Sequence, residues 1–244
     1  MLKKILSIFF LLILSASAFS QTGNDTTFSK AALQNSIAVY GKHISEQTNL
    51  YNGYQYVRPN QTNDEEHPYF ETDDWVFGSV EYDGEIFKNI PLLYDIRSDK
   101  VITEHYLNGN EMELIPEKLS GFTMAKHSFK KIKNEEVSNS LPQTGYYEIL
   151  YDGVTRAIVL QKKTSLKTIS SNEVQILYEK RIKYYILKNG KFFQVRSKGS
   201  LLKLLSDEKK ALKQFLTTHK LRFRGNAESV IAQTAEFYDT LKTK

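Results

Sequence analysis

Four dipeptides, Asp83-Gly84, Asn108-Gly109, Asp152-Gly153 and Asn189-Gly190, each stand between two runs of strand-like residues. Asp-Gly and Asn-Gly tolerate the left-handed backbone that a tight hairpin turn requires, so each pair reads as the corner between antiparallel neighbours. The runs they divide are Trp75, Phe77, Val80 and Tyr82 before Asp83, Ile86-Phe87 after it, and then Ile90 to Ile96, Val101 to Leu107 and Met112 to Ile115. Further on come Tyr146 to Tyr151, Thr155 to Gln161, Val174 to Leu187 and Phe192 to Arg196. No helix-length crossover separates these runs, which excludes a parallel sheet. The expected fold is α+β but mainly β: an antiparallel meander, either an open curled sheet or a small barrel. Tyr82-Asp83-Gly84 and Tyr151-Asp152-Gly153 match as phrases, but their flanks share no fixed period, so the likeness is one of turn chemistry.

Helical periodicity brackets the β region. Leu33, Ile37, Tyr40, Ile44 and Tyr51 recur at the spacing of one helix face, predicting an N-terminal helix over about 30–48. Arg58 to His67 is polar and reads as an exposed loop. Near the other end, Leu201, Leu202, Leu204 and Leu205 precede Ser206, Asp207 and Glu208, and Leu212, Phe215 and Leu216 follow as a buried stripe. Ser200 reads as an N-cap. A last helix starts near Asn226, with Val230, Ile231, Tyr238 and Leu241 on its apolar side. Two to three C-terminal helices are expected, over about 199–243, after a β-rich core over about 51–197.

The first twenty residues carry Lys3 and Lys4, an apolar run from Ile5 to Leu14, and small residues up to Ala18 and Ser20. This is the pattern of a secretory signal peptide, with cleavage expected near Ser20/Gln21 and residues 21–244 as a single exported domain, periplasmic or secreted. The apolar run falls short of the roughly 20 residues a spanning helix needs. Gln21 stands where a lipoprotein carries cysteine. The chain of 244 residues has no cysteine, which excludes disulfides, thiol nucleophiles, Cys-bound zinc or iron-sulfur clusters and attached haem. Stability must come from a buried core. Of 33 basic side chains two lie in the leader, leaving 31 against 28 acidic ones, a net of +3 too balanced to predict a nucleic-acid partner.

Leu50-Tyr51-Asn52-Gly53, Trp75-x-x-Gly78-x-Val80-x-Tyr82-Asp83-Gly84, Asn89-Ile90-Pro91-Leu92-Leu93-Tyr94-Asp95 and a helical end closing on Phe237-Tyr238 together resemble an uncharacterised family of secreted, periplasmic Bacteroidota proteins of the flavobacterial type. The resemblance covers most of residues 21–244 and implies a Gram-negative envelope protein. It brings no catalytic residue with it. In that setting Asp25-Thr26-Thr27 and Asp239-Thr240-Leu241 fit an O-glycosylation pattern, and Thr26 is the more accessible of the two threonines.

Reaction signatures are missing. The five histidines, at 43, 67, 105, 127 and 219, are never closer than twenty residues, so no His-rich zinc motif forms, and solvated or singly bonded side chains are expected. Asp64-Glu65-Glu66 and Asp73-Asp74 lack the spacing of a calcium loop. Neither a nucleophile elbow nor a phosphate-cradling glycine loop occurs, and Lys198-Gly199-Ser200-Leu201 lacks the second glycine. No catalytic, metal or cofactor-binding residue is therefore assigned. Aromatic residues crowd positions 51 to 82, and Tyr54, Tyr56, Trp75, Phe77 and Tyr82 are the candidate ligand-binding residues, as a stacking platform. Strands also bury aromatics on one face, which is the competing reading. Lysines and arginines gather in the last third. The expectation is a non-catalytic envelope protein that binds a partner protein or an apolar or glycan ligand through an aromatic-rich sheet. An envelope glycan or peptide hydrolase with scattered carboxylates, and a carrier of a lipid-like molecule, are the alternatives.

Overall fold

The computed structural model describes residues 49–59, 66–170 and 173–243, and residues 50–244 form one compact unit. The leader, the helix expected over 30–48, His43 and Thr26 lie outside the described residues. Eleven strands make one antiparallel sheet that does not close: β1 (Tyr54–Gln55), β2 (Val76–Tyr82), β3 (Glu85–Asp95), β4 (Lys100–Glu104), β5 (Glu111–Glu113), β6 (Leu119–Met124), β7 (His127–Ile132), β8 (Gly145–Tyr151), β9 (Ala157–Ser170), β10 (Glu173–Lys188) and β11 (Lys191–Val195). Their order across the sheet is β1-β5-β4-β3-β2-β6-β7-β8-β9-β10-β11. Two meanders therefore meet at β2. One runs from β2 outward to β5 and β1, and the other from β6 outward to β11.

The turns explain most of this order. Asp83 and Gly84 both take positive φ (55° and 83°), as do Asn189 and Gly190 (53° and 73°), the mirror-image turn geometry that suits strand twist. Asp152-Gly153 behaves differently. Neither residue is left-handed, β8 and β9 are joined by five residues, and a Cβ on Gly153 would meet the Tyr151 ring at 2.4 Å, so this glycine serves close approach instead of turn handedness. The runs around Ile86 and Ile90 are a single strand, β3, because Asn89 takes φ 58° and absorbs a register shift against β2 between Gly78 and Ser79. The β6–β7 hairpin turns on Ala125 (φ 49°) and Lys126, with no glycine to announce it.

Three helices follow: α1 (Lys198–Leu204), α2 (Lys209–Thr218) and α3 (Ala227–Lys242), the last starting directly after Asn226. The N-cap of α1 is Ser197, not Ser200. Ser200 occupies the third helical position and closes a reciprocal capping box with Ser197.

Each face of the sheet carries two apolar clusters. On one face, around the join of the two meanders, Val80, Tyr82, Leu92, Tyr94, Phe122 and Phe129 pack with Leu50 and Phe70. Tyr94 meets Phe122 and Phe129 edge-on at 5.1 and 5.2 Å. The same face of the second meander, followed through the opposed residues Phe129, Glu148, Val159, Tyr184 and Val195, is covered by the helices. There Ala157, Ile186 and Val195 meet Leu201, Leu212, Leu216, Val230, Ile231 and Tyr238. The reverse face holds Tyr56, Tyr69, Leu93 and Ile102 at one end, and Tyr147, Ile158, Leu160, Tyr185 and Phe192 at the other.

Gly78 sits on the strand where the meanders join, and a Cβ there would lie 1.9 Å from the Thr123 carbonyl oxygen of β6. Gly78→Ala should destabilise the protein by about 3 kcal/mol or more, because two backbones must separate. Gly190→Ala meets nothing within 4 Å and should cost only about 1–2 kcal/mol for its left-handed backbone. Urea midpoints of the two variants check this, and equal losses would refute the pivot assigned to β2.

Candidate functional site

Between the aromatic cluster and the helices, the shared face of the sheet turns polar. His127 on β7, Glu148 on β8 and Gln161 on β9 all point to this face, and all three are buried. His127 Nδ1 lies 2.6 Å from Glu148 Oε1, and Gln161 Nε2 donates to Glu148 Oε2 at 3.0 Å. A carboxylate only accepts, so Nδ1 carries the hydrogen, and whenever the ring is unprotonated Nε2 is an open acceptor. His127 Nε2 and Gln161 Oε1 are buried without hydrogen-bond partners. Glu71 Oε1 lies 3.4 Å from Nε2, near enough for charge attraction to a protonated ring but without hydrogen-bond geometry.

The surroundings are built by several elements. Phe70 stands edge-on to His127 at 4.9 Å, held by its backbone bond to the Tyr94 carbonyl. Glu71 is kept at φ 55°, a conformation costing about 1–2 kcal/mol for a residue with a side chain, which aims its carboxylate at the histidine. Lys180 of β10 places its ammonium 5.8 Å from the Phe70 ring centre. Glu228, in the first turn of α3, lines a cavity of about 320 Å³ with Tyr184, Gly225 and Asn226. Burial, and then the Glu148 charge, hold the Glu228 carboxyl above its ordinary range, while His127 and Lys180 pull the other way. Glu148 is already bonded on both oxygens, while the carboxylates of Glu71 and Glu228 add negative charge near the histidine, an arrangement that suits a hydrogen-bond donor of positive charge. Among the described residues no group of three or more His, Cys, Asp or Glu side chains is placed to hold a metal ion.

The aromatic candidates do not assemble. Tyr82 is buried in the first core, and Tyr56 is buried on the opposite face, donating to Asp95 Oδ2 at 3.0 Å. Both are core residues, because strand alternation turns them inward. Trp75 is half-buried against Tyr56, Tyr69, Leu93 and Ile102, with the Arg58 guanidinium 5.8 Å from its ring centre. Tyr54 and Phe77 are exposed, at 70% and 63%, but β5, β4 and β3 separate their strands, roughly 19 Å at normal strand spacing. His127 is singly bonded, as expected of the histidines, and it is its burial beside Glu148 that sets it apart. The alternation Phe122-x-Met124 and His127-x-Phe129, which sets His127 on an apolar stripe, is the signal in the sequence that points to it.

Another cavity, of about 560 Å³, lies elsewhere, among Thr155, Lys188, Asp207, Tyr238, Asp239 and Lys242. Its polar groups are already satisfied. Asp207 accepts from Lys188 at 2.8 Å and from Tyr238 at 2.6 Å and pairs with Lys242 at 2.8 Å, while Asp239 accepts from Tyr151 and the Thr155 amide. This network ties α3 to the sheet. Burial opposes ionisation of Asp207, but the hydrogen bonds from Lys188, Lys242 and Tyr238 outweigh it and hold the carboxyl well below its ordinary range. A depressed carboxyl stabilises the fold above its unfolded pKa and loses that contribution as pH falls through the folded one. Asp207→Asn should therefore lower the melting temperature at neutral pH, and its gap to the parent chain should begin to narrow as pH falls below about 4 and keep narrowing with further acidification. A gap that stays constant with pH would refute the ion-pair account.

Compared with known protein families, with curated proteins and with solved structures, the chain finds no match.

Proposed function

We propose that this protein is an exported, non-catalytic binding protein of the cell envelope that holds an amine-bearing, envelope-derived ligand at the polar seam of its sheet. Export is supported by Lys3, Lys4 and the apolar run Ile5 to Leu14 ahead of Ser20/Gln21. The observation that carries the binding reading is the pair of buried, unpartnered acceptors, His127 Nε2 and Gln161 Oε1. A buried polar atom without a partner costs about 1–3 kcal/mol, which a ligand donor recovers on binding. The surplus of carboxylate at Glu71, Glu148 and Glu228 selects a cationic donor over a neutral one. Phe70, edge-on to His127, gives the ligand an apolar wall.

A second reading, an envelope glycan hydrolase, is favoured by Glu228, whose carboxyl is shifted upward beside a histidine already oriented by a carboxylate. One experiment separates the two. Glucosamine and N-acetylglucosamine oligomers are titrated into labelled protein while amide resonances and product formation are followed. The binding reading expects shifts at the Gln161 side-chain amide with glucosamine oligomers, absent with the acetylated form, and no product. Gln161→Met, which keeps the shape and removes the acceptor, should weaken the affinity about tenfold or more. Equal response to both oligomers, or none at the seam, overturns the proposal, and released sugar transfers the site to the hydrolase reading.

A further inference from the structure

The helical end of the chain gathers positive charge that the fold itself does not use. Residues 196–224 hold nine basic side chains against Asp207 and Glu208, a formal +7, so the rest of residues 21–244 sums to −4. Both acids are already taken, Asp207 by Lys188 and Lys242 and Glu208 by Lys242, all from outside the segment. Six of the nine cations, Lys209, Lys210, Lys213, Lys220, Arg222 and Arg224, lie on α2 and on the segment that leaves it, and all six are exposed. Among the described residues none of the six has an ion-pair partner.

Their placement works against the helix. α2 opens with Lys209 and Lys210 and has no acidic residue in its first turn, so two cations stand at the positive end of the helix dipole. Lys213 follows at the three- and four-residue spacing that brings like charges side by side. Neutral polar side chains would avoid both penalties. Beyond α2, in Lys220-Leu221-Arg222-Phe223-Arg224, the two apolar residues pack on the helical core and the three cations stay outside. The Leu221 amide donates to the Leu216 carbonyl at 2.9 Å, which ties this segment to the end of the helix. Ten residues of α2 span about 15 Å, so the six cations form a row along the helix and just past it. An anionic partner relieves the repulsion that this row builds in.

The row suits a phosphate-bearing surface. None of the six lines the cavities of about 560, 190 and 320 Å³, and a bilayer attracts each lysine or arginine without a matched pocket. A second copy would bring the same charge and be repelled. Single-stranded nucleic acid needs aromatic faces to stack on, and here Phe215 stacks on Phe237 at 4.3 Å while Phe223 packs inward. We infer that α2 and the Lys220–Arg224 segment form a docking surface for an anionic lipid bilayer, held at the headgroup phosphates. Leu212 and Leu216 stay in the core, so attachment is electrostatic and reversible with salt. The choice of lipid among phosphate-bearing partners rests on the export proposed above, and the surface is independent of the ligand assigned to the seam.

Vesicle sedimentation tests it. The full chain is mixed with vesicles of phosphatidylcholine alone or with phosphatidylglycerol added, and the expected binding requires phosphatidylglycerol and weakens steeply with salt. A triple variant, Lys209→Gln, Lys210→Gln and Lys213→Gln, should lower the partition coefficient about tenfold or more, whereas Lys209→Arg, Lys210→Arg and Lys213→Arg together should retain it. Lys88→Gln, Lys126→Gln and Lys167→Gln remove the same charge from exposed positions elsewhere and should change it by less than about threefold. Since the first variant loses only repulsion, its urea midpoint should be no lower than that of the parent chain. Equal binding to neutral vesicles, as entry through residues 5–14 would give, overturns the proposal. So do equal losses in the two glutamine variants, loss of binding in the arginine variant, or a lower urea midpoint, which would make the lysines structural. Duplex DNA bound more tightly than anionic vesicles at the same salt would assign the row to nucleic acid, overturning the lipid surface and counting against export.

Discussion

The architecture depends on the backbone ladder on both edges of β2. That strand pairs with β3 along one edge and with β6 along the other, and so joins two meanders that each would otherwise end in an open edge. The join demands close approach, since a side chain at Gly78 would occupy the space of the Thr123 carbonyl. An unpaired edge in the middle of the molecule would leave buried amides unsatisfied, a cost that grows with each residue. With no disulfide available, this ladder and the apolar clusters on each face carry the stability of the fold.

The polar seam follows from that join. Around the join the sheet covers its face with its own aromatic side chains, and farther along the second meander the same face is covered by helices α1 to α3. These two coverings differ in kind and meet over β7, β8 and β9. An aromatic stack fits around Tyr94, and helices fit around Ala157 and Ile186, but at the boundary His127, Glu148 and Gln161 occupy positions that alternation would assign to the core. Glu148 can be buried there because both its oxygens accept a hydrogen bond. His127 and Gln161 each spend one polar group on Glu148 and keep one in reserve. A sheet optimised for stability alone would fill such positions with apolar side chains.

Much of the fold was legible in turn chemistry. Asp83-Gly84 and Asn189-Gly190 mark corners because only a few residue types accept positive φ at both central positions. The β6–β7 hairpin was not legible, because Ala125 adopts the same backbone without being a residue that advertises it. The site hid for the same reason. His127 opens the strand after that unmarked turn, and Glu148 and Gln161 lie 21 and 34 positions along the chain, a distance that only sheet register closes. The aromatic candidates failed on a different ground. Composition crowds Tyr54, Tyr56, Trp75, Phe77 and Tyr82 together, but the strand order sends Tyr82 to one face and Tyr56 to the other, and parts Tyr54 from Phe77 by three strands.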